Sequence, residues 1–122
     1  MARFVVQLHD ATTLHYDFRL EVDGVLRSWA VPKGPSMDPD AKRLAVQVPD
    51  HALSHATHES ANVEIWDAGT WAPTTAGNPG AALDGGHLSF TLDGNKLSGG
   101  WTLHRTSAGA KPQWLLMKRK DA

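Results

Sequence analysis

Leu14-His15-Tyr16-Asp17-Phe18-Arg19-Leu20-Glu21 alternates apolar and polar side chains along its whole length, and Val22-Asp23-Gly24-Val25 follows at once. A period of two belongs to a β-strand with one face turned to a core. Asp-Gly supplies the positive φ angles of a type I′ turn, so the chain is expected to reverse there. The return strand should run over residues 25–31 and stop at Pro32-Lys33-Gly34-Pro35. A similar unit comes later, with strands at residues 87–92 and 96–104 joined by Asp93-Gly94-Asn95. Further strands are expected at residues 4–8, 43–48, 63–66, 70–73 and 113–118. No segment shows a sustained helical period with caps, and residues 74–82 have the composition of a surface loop. Many short strands closed by Gly and Pro turns predict an all-β fold, a small antiparallel barrel or a sandwich. The five tryptophans, Trp29, Trp66, Trp71, Trp101 and Trp114, are expected in the core and at its rim rather than as stacking platforms for bases.

A chain of 122 residues suits a single domain over 1–122, and 41% hydrophobic with 20% charged residues is ordinary for a globular protein. No apolar run approaches the length needed to cross a bilayer. Residues 1–7 turn polar too soon for a secretory signal, which makes a cytoplasmic location the expectation. The absence of cysteine excludes disulfides, thiolate zinc sites and cysteine nucleophiles. A net charge of −1 is not that of a protein that coats nucleic acid non-specifically. Any nucleic-acid role must rest on a local basic groove or on a bound metal's own charge. The basic cluster Lys118-Arg119-Lys120 has the character of a solvated end.

On a strand, His15, Asp17 and Arg19 project from one face, and His9 comes within reach from the end of the preceding strand. Two imidazoles and a carboxylate suit intermediate ions such as Mn, Fe or Zn, and three protein ligands leave positions open for water and substrate. The same set also serves a non-haem iron oxygenase, so the triad by itself leaves the chemistry open. Arg19 beside it is a clamp for a tetrahedral phosphate oxyanion, or for a substrate carboxylate. His51, His55 and His58 crowd a second segment, as metal ligands or as phosphate donors with a general-acid role. His87 and His104 fall in late strands, where structural roles are expected.

The stretch from Phe4 to Val31 closely resembles the 3′-phosphoesterase domain of bacterial DNA ligase D, the multifunctional enzyme of non-homologous end joining. The matching runs include Leu14-His15-Tyr16-Asp17-Phe18-Arg19-Leu20 and Ser28-Trp29-Ala30-Val31-Pro32-Lys33-Gly34-Pro35. They continue with Lys42-Arg43-Leu44-Ala45-Val46, Asp50-His51, Trp66-Asp67, Gly69-Thr70-Trp71 and Gln113-Trp114-Leu115-Leu116. The resemblance implies a compact antiparallel β-barrel with its active site in a surface groove. It also implies a Mn-dependent enzyme, with Zn or Co as possible substitutes, that removes a 3′-terminal ribonucleoside to leave a 3′-phosphate. The phosphate is then removed to leave a 3′-hydroxyl fit for ligation.

By matching position, His9, His15 and Asp17 look like the metal ligands, Arg19 like a phosphate contact and His51 like the catalytic histidine. Gln7, Lys33 and Arg43 fall on positions that support the site or the substrate. The implied partners are DNA 3′ ends, together with a DNA ligase or an end-binding protein, for a monomer located at the nucleoid. The chain departs from the family pattern at four places. His55 stands where tyrosine is common, with His58 its rival for that position. The loop bridged by His58-Glu59-Ser60-Ala61-Asn62 is shorter than usual. Pro49 replaces an acidic residue, and the usual N-terminal arm is not in this sequence. Those departures make a non-catalytic DNA-end or protein-binding module the alternative function.

Overall fold

The computed structural model describes residues 2–120. Eight antiparallel strands close into one barrel: β1 (Arg3–Asp10), β2 (Leu14–Val22), β3 (Val25–Val31), β4 (Lys42–Ala52), β5 (Val63–Pro73), β6 (His87–Gly94), β7 (Ser98–Ser107) and β8 (Gln113–Lys118). The order around the wall is β1-β2-β3-β4-β8-β7-β6-β5, so β6 and β7 lie across the barrel from β2 and β3. Closure leaves no free sheet edge. Among the described residues no helix is long and apolar enough to cross a membrane.

The opening alternation sets which side chains fill the interior. Phe18 and Leu20 on β2 enter the core with Phe4 and Val6 of β1 and Trp29 and Val31 of β3. Trp29, Trp101 and Trp114 are fully buried and Trp71 nearly so, while Trp66 packs against the core from its margin. The tryptophans are thus core and rim residues, as their pattern suggested. Asp23 at φ 51° and Gly24 at φ 84° make the expected two-residue turn, with Val22 facing Val25 across it.

The signature ending Pro-Lys-Gly-Pro has a steric basis. Gly34 adopts φ +77°, and a Cβ there would lie 2.8 Å from the ring of Tyr16. Only glycine combines that backbone with so close an approach. Tyr16 in turn meets Trp66 edge-on at 5.5 Å.

Three local expectations change. Residues 63–73 form one continuous strand, β5, rather than two, because Asp67 and Gly69 sit within the ladders to β1 and β6 instead of ending them. The late hairpin exists, but its turn falls at Asn95-Lys96-Leu97 and β7 begins at Ser98. That turn is built by a side chain: Asp67 accepts from the backbone N–H of Asn95, Lys96 and Leu97 at 2.9, 3.1 and 2.8 Å. The segment taken as loop contains the start of a short helix, α1 (Pro79–Asp84), with Asn78 as N-cap accepting from Ala81 N at 3.1 Å. Asn followed by Pro at the first helical position is the signal that marks it, and Leu83 anchors the helix in the core.

Candidate metal centre and phosphate site

The polar half of the alternation faces out of the barrel, and one patch of this outer wall is covered. The 3-10 turn Leu53–Thr57 folds back over β1 and β3, and its Ala56 packs with Val5, Leu26, Leu53 and Ile65 in a second, small apolar cluster. A groove of about 190 Å³ remains between this turn and the strands, lined by Gln7, His9, Asp17, Arg19, His51, His55, His58 and Val63.

Register brings His9 opposite His15 and Gln7 opposite Asp17. Paired residues project on the same side of a sheet. The histidine rings are 4.9 Å apart, His9 Nδ1 is 3.4 Å from Asp17 Oδ2, and His15 Nε2 is 3.2 Å from Asp17 Oδ1. One donor atom from each of the three lies within 4.8 Å of the other two. Donors sharing one ion with bonds of about 2.1 Å stand about 3.0–3.4 Å apart at right-angled to tetrahedral geometry; both His–Asp17 separations fall in that range, and the three residues lie close enough together to gather on one divalent cation.

Hydrogen bonding sharpens the fit. His15 Nδ1 lies 3.0 Å from the Thr13 carbonyl, which only accepts, so this nitrogen carries the proton. In the neutral ring Nε2 then presents a lone pair toward a carboxylate oxygen, a repulsive pairing that a cation between them turns into ligation. A backbone carbonyl fixing the tautomer in this way is the usual outer support of a metal-binding histidine.

Arg19 is held on three sides. Its Nε donates to Gln7 Oε1 at 2.9 Å, Nη1 donates to Ser28 Oγ at 2.8 Å, and Nη2 lies 3.5 Å from Asp17 Oδ2. Burial lowers its pKa, and the charge of Asp17 opposes that shift. The guanidinium nonetheless stays charged, as arginine does in proteins. Gln7 Nε2 donates in turn to the carbonyls of His55 at 2.8 Å and His58 at 3.0 Å. One buried carboxamide therefore ties the arginine to the covering turn.

His51, facing Leu26 at the far end of β4, brings its ring 4.8 Å from that of His55, which is 5.6 Å from His58. Burial first, then the positive charge of Arg19 and the neighbouring His55, hold the His51 pKa below its ordinary 6.5, against the pull of Asp17 and Asp50. The unfolded chain therefore takes up a proton at His51 as pH falls through 6.5 while the folded chain still refuses it. The neutral ring costs nothing above that pH and opposes folding below it. In an NMR titration the His51 ring should show a midpoint below 6.5 that moves upward in Arg19→Ala. A midpoint unmoved by that substitution would contradict the assigned cause.

Lys33 and Arg43 do not line this groove. With Pro32, Lys42 and Leu44 they surround a separate depression of about 310 Å³, where β3 ends and β4 begins. Arg43 Nε is buried there without a hydrogen-bond partner. His87 and His104, for which structural roles were expected, form an exposed pair facing each other across β6 and β7, rings 5.7 Å apart, on the opposite wall. Sequence reasoning missed Ser28 as a support. Counting outward from the Asp23-Gly24 turn would have found it, since that register pairs Arg19 with Ser28.

A closed antiparallel barrel with an outward-facing His-His-Asp cluster, an arginine beside it and a histidine-rich cover defines a candidate metal-binding, oxyanion-binding β-barrel. Residues 7–105 match the model of the DNA ligase D 3′-phosphoesterase domain, and the chain belongs to that family. It is 53% identical to the multifunctional non-homologous end joining protein LigD of Pseudomonas aeruginosa, an alignment covering 99% of this chain and 15% of that protein. It is 38% identical to the multifunctional non-homologous end joining DNA repair protein LigD of Mycobacterium tuberculosis, covering 97% of this chain and 16% of the relative. For the multifunctional non-homologous end joining protein LigD of Mycolicibacterium smegmatis the identity is 37%, over 98% of this chain and 17% of the relative. The chain thus corresponds to roughly a sixth of the length of these relatives.

Proposed function

We propose that this barrel is a metal-dependent phosphoesterase for DNA 3′ ends that serves end joining. It removes a 3′-terminal ribonucleoside to leave a 3′-phosphate, and then removes that phosphate to leave a 3′-hydroxyl. The observation that carries this reading is the convergence of Arg19, His51 and His55 on one small groove with the cluster His9, His15 and Asp17. A groove of about 190 Å³ with these donors on its walls has room for a tetrahedral anion.

A divalent ion held by His9, His15 and Asp17, Mn²⁺ by preference and Zn²⁺ or Co²⁺ as substitutes, would supply Lewis-acid neutralisation of phosphate charge. The protein's own groups do the rest. Arg19, locked by Gln7 and Ser28, presents its guanidinium to a phosphate oxygen with no rearrangement, which is where preorganised charge contributes most. His51 and His55 hold the remaining oxygens. As a water oxygen bonds to phosphorus and the ester bond to the departing oxygen breaks, one of these imidazoles gives that oxygen its proton. A bound phosphate offsets the charge of Arg19 beside His51, raising the imidazole's proton affinity at the moment a donor is needed.

Lys33 and Arg43, with Lys42, are assigned to backbone phosphates of the DNA rather than to the reacting one, because they line their own depression. A local basic patch of this kind reconciles DNA binding with a net charge of −1. A DNA ligase or end-binding protein would supply further grip on the duplex. The location we propose is cytoplasmic, at the nucleoid.

The test is a primer–template with a single 3′-ribonucleotide, incubated with Mn²⁺. The expected products are the 3′-phosphate and then the 3′-hydroxyl. No product with protein in excess over substrate would overturn the enzymatic reading, and binding to a 3′-phosphate end without turnover would identify a binding module instead.

A further inference from the structure

The phosphate groove is lined by Gln7, His9, Asp17, Arg19 and three histidines, with Val63 its one aliphatic residue, and the same outer wall carries a second, more apolar depression beside it. This one is about 670 Å³, within the range of small-ligand sites. Its floor is Ala30, Val46, Val48 and Pro49, and its rim is Gly109-Ala110-Lys111-Pro112 from the β7–β8 connection.

Strand register fixes its relation to the reacting centre. Asp17 is paired with Ala30, and Ala30 with Val46. Next to them Arg19 is paired with Ser28, and Ser28 with Val48. Since paired residues share a face, two adjacent rows run from the metal cluster and Arg19 across β3 onto β4. Along the first row the surface changes from charged to apolar within one strand, and along the second it does so at Val48. With strands about 4.8 Å apart, Ala30 is one spacing from Asp17 and Val46 two. A group esterified to a phosphate on Arg19 has to leave the groove in some direction, and this row offers an apolar bed at nucleoside distance. The rim is pinned, since Gln47 N donates to the Pro112 carbonyl at 2.9 Å. Lys111 on it is an exposed cation, complementary to the next phosphate of a strand.

Resting on the phosphoesterase reading above, we propose that this depression holds the terminal nucleoside carrying the 3′-phosphate. The ribose lies over Ala30, the base on Val46, Val48 and Pro49 under the 109–112 rim, and Lys111 faces the adjoining phosphate. The base faces apolar side chains and two proline rings, so the site accepts any of the bases, as an end-processing site must.

Calorimetric binding of inorganic phosphate and of adenosine 3′-monophosphate, each with Mn²⁺ present, tests it. The nucleotide should bind about tenfold more tightly than phosphate. Ala30→Leu, which fills the floor, and Ala110→Trp, which fills the depression from its exposed rim, should each remove most of that gain while phosphate affinity stays within about twofold. Equal affinity for the two probes, or a gain that survives both substitutions, would overturn the nucleoside site and leave Arg19-dependent phosphate binding standing. Phosphate binding that is indifferent to Arg19→Ala would overturn the phosphoesterase reading and this inference with it.

Discussion

Replacing Arg19 with alanine is expected to lower turnover on a 3′-phosphate end by a factor on the order of 10²–10³. The size follows from how the guanidinium is held. It is buried, donates to Gln7 and Ser28, and lies against the carboxylate of Asp17, so its position is set before substrate arrives. Lysine at this position would keep the charge but not the planar fork, and should recover only a small part of the loss. The substitution also strands the buried Gln7 Oε1 and leaves Ser28 Oγ only its bond to the Leu26 carbonyl, so a stability loss of about 1–3 kcal/mol is expected alongside. Rates measured with saturating Mn²⁺, on protein shown folded by its urea transition, separate the two effects. Turnover within about threefold of wild type would remove Arg19 from the mechanism.

The second large effect is on stability and lies away from the site. Asp67 is buried and accepts four backbone N–H groups, from Ala68, Asn95, Lys96 and Leu97. The turn between β6 and β7 has no primed Asp-Gly geometry of its own, because Gly94 is used for close approach. A Cβ there would meet both Asp67 Oδ2 and the Phe4 ring at 2.6 Å. Asp67→Ala therefore strands donors that nothing else in the turn can satisfy. Each such group costs about 1–3 kcal/mol if it stays buried, and partial opening of the turn to water limits the total to about 3–4 kcal/mol. Asn at this position keeps one acceptor but turns an amide toward N–H donors, and should recover little. Urea denaturation measures the loss, and a change below about 0.5 kcal/mol would show that the turn is held by other means.

Both predictions bear on what was legible in the amino-acid sequence. The β2 alternation and the Asp23-Gly24 turn carry their own register, so the first hairpin and the common face of His15, Asp17 and Arg19 followed from residues alone. His9 opposite His15 was within reach of the same logic. Alternation marks the apolar face as the interior one, but it does not say which other strands close over it. It also cannot show that Gln7 ties Arg19 to a turn some fifty residues away, because a tertiary hydrogen bond leaves no periodicity. The Asn95 turn was misplaced for the same reason: a side chain of β5 builds it. Lys33 and Arg43 shared a role with Gln7 in the sequence reading, but they line a different depression, and the chain offers no local cue to that separation.

The central claim is that His9, His15 and Asp17 hold one divalent ion in the groove that Arg19 overlooks. Titration of Mn²⁺ followed by electron paramagnetic resonance tests it without reference to activity. One equivalent should lose the spectrum of the free hydrated ion on mixing with the wild-type chain, and His9→Ala, His15→Ala and Asp17→Asn should each restore it under the same conditions. A wild-type chain that leaves the free-ion spectrum unchanged, or binding that survives all three substitutions, would contradict the account.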